Sequence, residues 1–121
     1  MALQFIIEPD SGNGDPITIR ISGGMTLGPR LLEFGRRAGS LPAPLVSNGV
    51  LLEMSAVEDI DSAGLGELVI LYTAVGANGG RLGLVKPSRR IVSLLETTRL
   101  AGILPHFENE AAAAAWLAGP V

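Results

Sequence analysis

The segment 50–77 constrains the fold more than any other part of the chain. Residues 50–54 are almost entirely apolar, as in a strand at the centre of a sheet. Residues 58–62 form a polar turn. The apolar residues that follow have the three-and-four spacing of a helix, namely Leu65, Leu68, Val69, Tyr72 and Val75. A buried strand that leads directly into a helix predicts a layered α/β structure.

The N-terminal part of the chain predicts a β-hairpin. Residues 3–7 form a short apolar run, and in residues 17–22 isoleucine alternates with polar residues, which is the period of a half-buried strand. The segment 10–16 between them is rich in Asp, Gly, Asn and Pro, which favour turns. Gly23 and Gly24 are expected to end the second strand.

A helix and a loop are expected between the hairpin and residue 50. Pro29 suits the first turn of a helix, where its missing N–H would be unpaired in any case. That helix would place Leu31, Phe34 and Ala38 on one face and stop at Gly39. Residues 40–49 contain two prolines and an Asn-Gly pair, so they are predicted to be loop.

After residue 77 the alternation of strands and helices continues. Asn78, Gly79 and Gly80 end the helix, and residues 81–86 are predicted to be a strand. Ser88 is suited to cap a helix that carries Ile91, Leu94 and Leu95 on one face. Residues 100–107 form a connector with room for a short strand, and residues 108–117, which are rich in alanine, form a final helix.

This order of elements predicts an α/β fold. We expect a single small domain over residues 1–121, with a mixed four- to five-stranded sheet and about four helices packed on one side. A chain of 121 residues is long enough to bury a core. That core must be aliphatic, because hydrophobic residues make up 47% of the chain and aromatic residues only 4%.

Composition excludes several classes of function. The chain has no cysteine, which removes disulfides and thiolate chemistry, and its net charge of −3 without a basic stripe argues against a nucleic-acid partner. Membrane insertion is not expected, because the most apolar stretch, residues 65–77, is too short to span a bilayer. The N-terminus lacks the basic region of a signal peptide. We therefore expect a cytoplasmic protein.

The turn Asp61-Ser62-Ala63-Gly64-Leu65-Gly66 is the most informative motif. Ser62 is predicted at or just before a helix N-terminus, where free N–H groups and the helix dipole favour negative charge. A phosphate there would add about −1.5 to −2 charges beside Asp59 and Asp61. A partner that fits the neutral loop would then be repelled, so the turn can serve as an off-switch.

Structural interpretations of the same residues remain open. Ser62 could be an ordinary helix N-cap, and Gly64 and Gly66 could be needed for close packing on the sheet rather than for approach of a partner. Asp59 and Asp61 could hold magnesium, although a charged, solvated turn is the simpler interpretation. His106, the single histidine, has no cysteine or second histidine nearby, so metal binding or catalysis by it is not expected, and no cofactor is expected.

The chain resembles the STAS domain, which is shared by sulfate transporters and bacterial anti-sigma factor antagonists. The resemblance is strong from about residue 50 to residue 117 and weaker over residues 3–39. It rests on the Asp-Ser-Ala-Gly-Leu-Gly turn, on Gly79-Gly80 before a strand, on Leu84-Val85 followed by a proline, and on Leu95-Glu96-Thr97-Thr98-Arg99-Leu100 before the last connector.

The resemblance implies a protein-binding module rather than an enzyme. In antagonist members of the family, the serine that corresponds to Ser62 is phosphorylated by an anti-sigma factor that is a serine kinase of the GHKL type. The unmodified antagonist sequesters that kinase, and a metal-dependent phosphatase restores the complex-forming state. The partner-binding residues implied here are Asp59, Asp61, Ser62, Ala63, Gly64, Leu65 and Gly66.

The sequence departs from the usual family pattern at two places, and two alternative functions are considered. The loop after the second strand lacks the acidic residue that many antagonists have, and residues 40–49 are longer and richer in proline than the usual link. A non-switching adaptor in a transport or signalling complex is the alternative function. A regulatory domain excised from a transporter is a third interpretation.

Overall fold

A computed structural model of the chain describes residues 1–8 and 14–119. The five strands are β1 (Gln4–Glu8), β2 (Ile17–Met25), β3 (Val50–Ile60), β4 (Leu82–Val85) and β5 (His106–Phe107). The five helices are α1 (Pro29–Gly39), α2 (Ala43–Val46), α3 (Ser62–Ala77), α4 (Arg89–Thr97) and α5 (Glu110–Ala118). After the opening hairpin, strands alternate with helices as the sequence predicts, except that the short helix α2 follows α1 directly.

The strands form one mixed sheet in the order β1-β2-β3-β4-β5. β1 pairs with β2 antiparallel, and the remaining pairs, β2–β3, β3–β4 and β4–β5, are parallel. Parallel neighbours require crossovers, and helices supply them. Because four of the strands run in the same direction, their C-terminal ends meet at one edge of the sheet, where the segments that follow β2 and β3 lie side by side.

The main core lies on one face of the sheet and is almost purely aliphatic. Ile17 and Ile19 of β2, Leu52 of β3 and Leu84 of β4 are fully buried in it. All of the helices α1 to α4 contribute to this core, through buried residues that include Leu31, Val46, Leu68 and Ile91. The predicted fold class, a small α/β domain with a mixed sheet and about four helices on one side, is therefore confirmed.

Helix α5 packs on the opposite face, although it was predicted on the same side as the others. Ala113 of α5 is fully buried with Leu51 and Val85, whose side chains point away from the main core because side chains alternate along a strand. Arg20 ties the helix to the rest of the sheet through ion pairs to Glu110 at 3.1 Å and to Glu8 at 2.8 Å. The fourth helix on the side of the main core is instead the short helix α2.

Two strands are longer than predicted. β2 continues through Gly23 and Gly24 to Met25, and β3 continues through Glu58 and Asp59 to Ile60. The two extensions pair with each other, with a bulge-like shift in register between Gly23 and Gly24, and Gly23 adopts a φ of 82°, which glycine accepts without strain. The predictions that the glycines end β2 and that residues 58–62 are a turn were wrong, because each strand supplies the hydrogen-bond partners of the other.

Smaller differences concern loops and one helix face. Residues 40–49 contain the short helix α2, which follows Pro42, so this segment is not all loop. On α3, Leu68 and Val75 are buried as predicted, but Tyr72 faces solvent and Leu71 takes the expected core position. The predicted turn at residues 10–16 falls largely outside the described residues, and the extent of the domain over the whole chain stays a prediction.

Candidate partner-binding site

The predicted site lies at the C-terminal edge of the parallel strands. β3 ends at Ile60, Asp61 follows, and α3 begins at Ser62. The adjacent strand β2 ends at Met25, which is paired with Ile60, so the loop of residues 26–28 lies beside the start of α3. The sequence motif and the β2–α1 loop, which are more than 30 residues apart in the chain, therefore form one surface.

Asp61 holds the two segments of this surface together. Its Oδ1 accepts the N–H of Gly64 at 2.9 Å and so caps α3, while its Oδ2 accepts the N–H of Leu27 at 2.9 Å. Its own N–H donates to the carbonyl of Met25 at 3.3 Å. The hydrogen bonds from Leu27 and then from Gly64 stabilise the carboxylate and lower the pKa of Asp61 below its usual value.

Ser62 is the first residue of α3, not its N-cap. Its side chain is exposed, and among residues 1–8 and 14–119 its hydroxyl has no hydrogen-bond partner. The capping interpretation of Ser62 is therefore wrong, because Asp61 performs that role. A free hydroxyl on the first turn of an anchored helix is open to modification from solvent, and the helix dipole there favours an anionic product.

The two glycines of the motif differ in their surroundings. Gly64 is buried, and a Cβ at this position would overlap the carbonyl oxygen of Met25 and the side chain of Ile60. Gly66 is partly exposed, and a Cβ there would meet no atom within 4 Å. Gly64 thus serves close packing on the sheet. Gly66 has no such packing role. Because it has no side chain, the surface of α3 near Ser62 carries no protruding group at this position.

The charged side chains near Ser62 are mostly acidic, and one of them forms an ion pair with an arginine. Asp59 accepts one hydrogen bond, from the N–H of its neighbour Ile60, and forms an ion pair with Arg90 of α4 at 3.1 Å. Glu58 and Ser62 are exposed on the same edge. The pair is largely open to water, with Arg90 at 69% exposure, so it contributes little to stability. Asp59 and Asp61 each bond to different groups of the protein, so their carboxylates are not arranged as a shared magnesium site.

Leu27 also belongs to this surface, although from the sequence alone core or loop packing is the simpler interpretation of the segment Met25–Leu27. Its side chain is 73% exposed, although Met25 two residues earlier is fully buried. Leu65 and Ala63 of α3 are partly exposed and also pack on the core. An apolar residue in a loop of glycine, threonine and proline is the sequence signal that could have identified it, but a core position explains such a residue equally well.

The chain is similar to known proteins both in sequence and in structure. Residues 9–113 match the STAS domain family. A proposed anti-sigma factor antagonist of Thermotoga neapolitana is 37% identical over 62 residues, which are 51% of this chain and 55% of the relative. The match thus spans about half the length of that protein. Within the described residues, no helix is both long enough and apolar enough to cross a membrane.

Solved structures support the same fold. The crystal structure of a proposed anti-sigma factor antagonist from Thermotoga maritima superposes with a TM-score of 0.81 at 21% identity and covers 93% of both chains. The unphosphorylated form of the anti-sigma factor antagonist SpoIIAA has a TM-score of 0.70 at 15% identity, covering 96% of this chain and 99% of its own. With the family match over most of its length, the chain belongs to the STAS domain family.

Proposed function

We propose that the protein is an anti-sigma factor antagonist whose binding to an anti-sigma factor is switched by phosphorylation of Ser62. The observation that carries the proposal is the free, exposed hydroxyl of Ser62 on the first turn of α3, held in place by the cap at Asp61. Two similarities support it. The matched Thermotoga relative is named as a proposed anti-sigma factor antagonist, and the anti-sigma factor antagonist SpoIIAA, in its unphosphorylated form, has the same fold. The unmodified chain would bind its partner and sequester it.

The partner is proposed to be a serine kinase of the GHKL type that recognises this same surface. The Ser62 oxygen would attack the γ-phosphorus of ATP bound to the kinase, ADP would leave, and the hydroxyl proton would pass to a base of the kinase. A metal-dependent phosphatase would add water to the phosphoserine and release inorganic phosphate. The protein itself is proposed to be a substrate and binding module in the cytoplasm, without catalytic activity or a cofactor.

The surface has parts suited to both binding and switching. Leu27 offers an exposed apolar side chain, and Gly66 lets another backbone approach the first turns of α3. Ser62 directly follows Asp61 and is close to Asp59 in the chain, so phosphorylation would give a locally anionic patch from Asp59, Asp61 and the phosphate. The partner would then have to bury or face that charge. The affinity would fall without any change in the fold.

The proposal can be tested with two substitutions at the same position. Tagged wild-type protein, Ser62→Ala and Ser62→Glu would be used to capture partners from the native cells, with identification by mass spectrometry. We expect the wild type and Ser62→Ala to retain an anti-sigma factor kinase. Ser62→Glu should weaken the complex at least about tenfold, because a charge is placed in a desolvated interface.

The outcomes separate the two functions. A complex that survives Ser62→Glu unchanged would indicate a non-switching adaptor and would overturn the proposal. A double variant, Leu27→Ser with Ser62→Ala, is a useful control, because it removes the apolar contact without adding charge. It should also weaken capture if the β2–α1 loop belongs to the interface.

A further inference from the structure

A cavity lies at the opposite end of α3 from Ser62. Its volume is about 490 Å³, within the range of small-molecule sites, about 300–1,000 Å³. It is bounded by the C-terminal half of α3, the start of β4, the segment after α4, and α5. Nothing in the proposed switch uses it, since none of its lining residues belongs to the Ser62 surface.

Two aromatic side chains and three glycines give the cavity its shape. Tyr72 of α3, which is 38% exposed, and Trp116 of α5 both line it. Gly76, Gly80 and Gly102 also line it, and a Cβ at Gly76 or Gly102 would meet no atom within 4 Å. Aromatic walls with open space beside them suit a flat, apolar ligand.

Arg81 is the charged residue of the cavity, and no acidic side chain is found among its lining residues in the described chain. Its guanidinium carbon lies 4.4 Å from the centre of the Trp116 ring, and its Nη2 donates to the carbonyl oxygens of Trp116 at 2.7 Å and of Leu117 at 3.1 Å. These contacts fix the guanidinium group. Within residues 1–8 and 14–119, its Nε and Nη1 have no hydrogen-bond partner and remain free to donate.

We infer that this cavity is a binding site for a small planar aromatic carboxylate. The ring of the ligand would pack against Tyr72 and Trp116, and its carboxylate would accept hydrogen bonds from the pre-positioned guanidinium of Arg81. Because Nη2 is already bonded to backbone carbonyls, the carboxylate would take a charge-assisted hydrogen bond from Nε or from Nη1, and little side-chain freedom is lost because the guanidinium is already fixed. The inference does not depend on phosphorylation of Ser62.

The test is a titration of the purified protein with 2-naphthoate. The chain has one tryptophan, so the indole N–H signal of Trp116 in a ¹H–¹⁵N NMR spectrum reports directly on the cavity. We expect a saturable shift, with an affinity at least about tenfold higher than that of the neutral 2-naphthamide. No saturable shift up to ~1 mM, the weak end of the affinity scale, or equal affinity for the two compounds, would overturn the inference.

Two matched leucine substitutions locate the site. Gly76→Leu should fill the cavity and lower the affinity for 2-naphthoate at least about tenfold, while Gly66→Leu, at the other end of the same helix, should leave it unchanged. Both positions lack atoms within 4 Å of a Cβ, so both variants are expected to fold. Arg81→Gln should remove the preference for the carboxylate. Wild-type affinity in Gly76→Leu would contradict the assignment.

Discussion

The two ends of α3 differ in how they are held and in what they expose. At its start, Asp61 bonds to the N–H groups of Gly64 and Leu27, and Gly64 lies directly against the backbone of β2. At its end, Gly76 is exposed beside an open apolar cavity, and the helix stops at Asn78 without a charged cap. The first end is anchored and polar, and the second is open and apolar.

This difference indicates that the recognition proposed at each of the two ends would have a different physical basis. In the proposed switch, a charge added to the anchored end would change partner binding by repulsion and desolvation rather than by changing the fold. The open end has space but little charge apart from Arg81, which suits shape-dependent binding of a small ligand. One helix therefore carries two surfaces whose properties can be tested separately.

The largest effect is expected from Gly64→Ala, which tests the anchoring of the first turn. The added methyl group would overlap the carbonyl oxygen of Met25, a backbone atom that cannot move without distorting β2. We expect the free energy of unfolding to fall by about 3 kcal/mol, the upper end of overpacking costs. Urea denaturation measures it. Gly66→Ala is the matched control, and an equal loss in both variants would refute the distinction.

An intermediate effect is expected from Asp61→Asn. The amide oxygen of asparagine can still cap Gly64, but its NH₂ group cannot accept the N–H of Leu27. We therefore expect amide hydrogen exchange at Leu27 to accelerate at least about tenfold, with a smaller change at Gly64. Unchanged protection at Leu27 would show that Asp61 does not hold the β2–α1 loop.

The same contact predicts a dependence on pH. The pKa of Asp61 is lowered in the folded protein, first by the Leu27 N–H and then by the Gly64 N–H. The stabilisation is therefore complete above the unfolded pKa of about 3.9 and is lost as the pH falls through the lower, folded value. Protection at Leu27 should decrease in that acidic window. Ile91, whose N–H is capped by the non-titrating Ser88, should keep its protection, and parallel loss at both would contradict the assignment.

The smallest effect is expected at the open end. Gly76→Ala places a methyl group where no atom lies within 4 Å and replaces a poor helix former with the best one. The free energy of unfolding should rise by about 0.5–1 kcal/mol, as thermal denaturation can measure. Destabilisation instead would mean that the last turn of α3 is as closely packed as the first.

The sequence predicted the order of the elements well because hydrophobic periodicity and turn residues act locally. The caps illustrate this, since Ser88 accepts the N–H of Ile91 as expected from a serine before a helical pattern. The face of α3 was harder to predict, because this helix is apolar all round and exposes Ile70 and Tyr72. A helix of that kind offers no polar side to mark solvent.

Only part of the candidate site could be predicted from the sequence, because sequence patterns report local structure. The motif at residues 61–66 is contiguous, so its place between a strand and a helix could be predicted directly. The contribution of Leu27 depends on the parallel pairing of β2 with β3, and the cap by Asp61 rather than Ser62 depends on the exact end of β3. Both follow from tertiary pairing, which local patterns do not encode.

Phosphorylation of Ser62 in the native protein is the most direct test of the proposed switch. The protein would be isolated from its own cells under phosphatase inhibition, and its intact mass and phosphopeptides would be determined. We predict a fraction that carries one phosphate, mapped to Ser62, with the unmodified fraction bound to its kinase partner. A protein that carries no phosphate under several growth conditions, yet co-purifies with a stable partner, would contradict the switch and favour the adaptor.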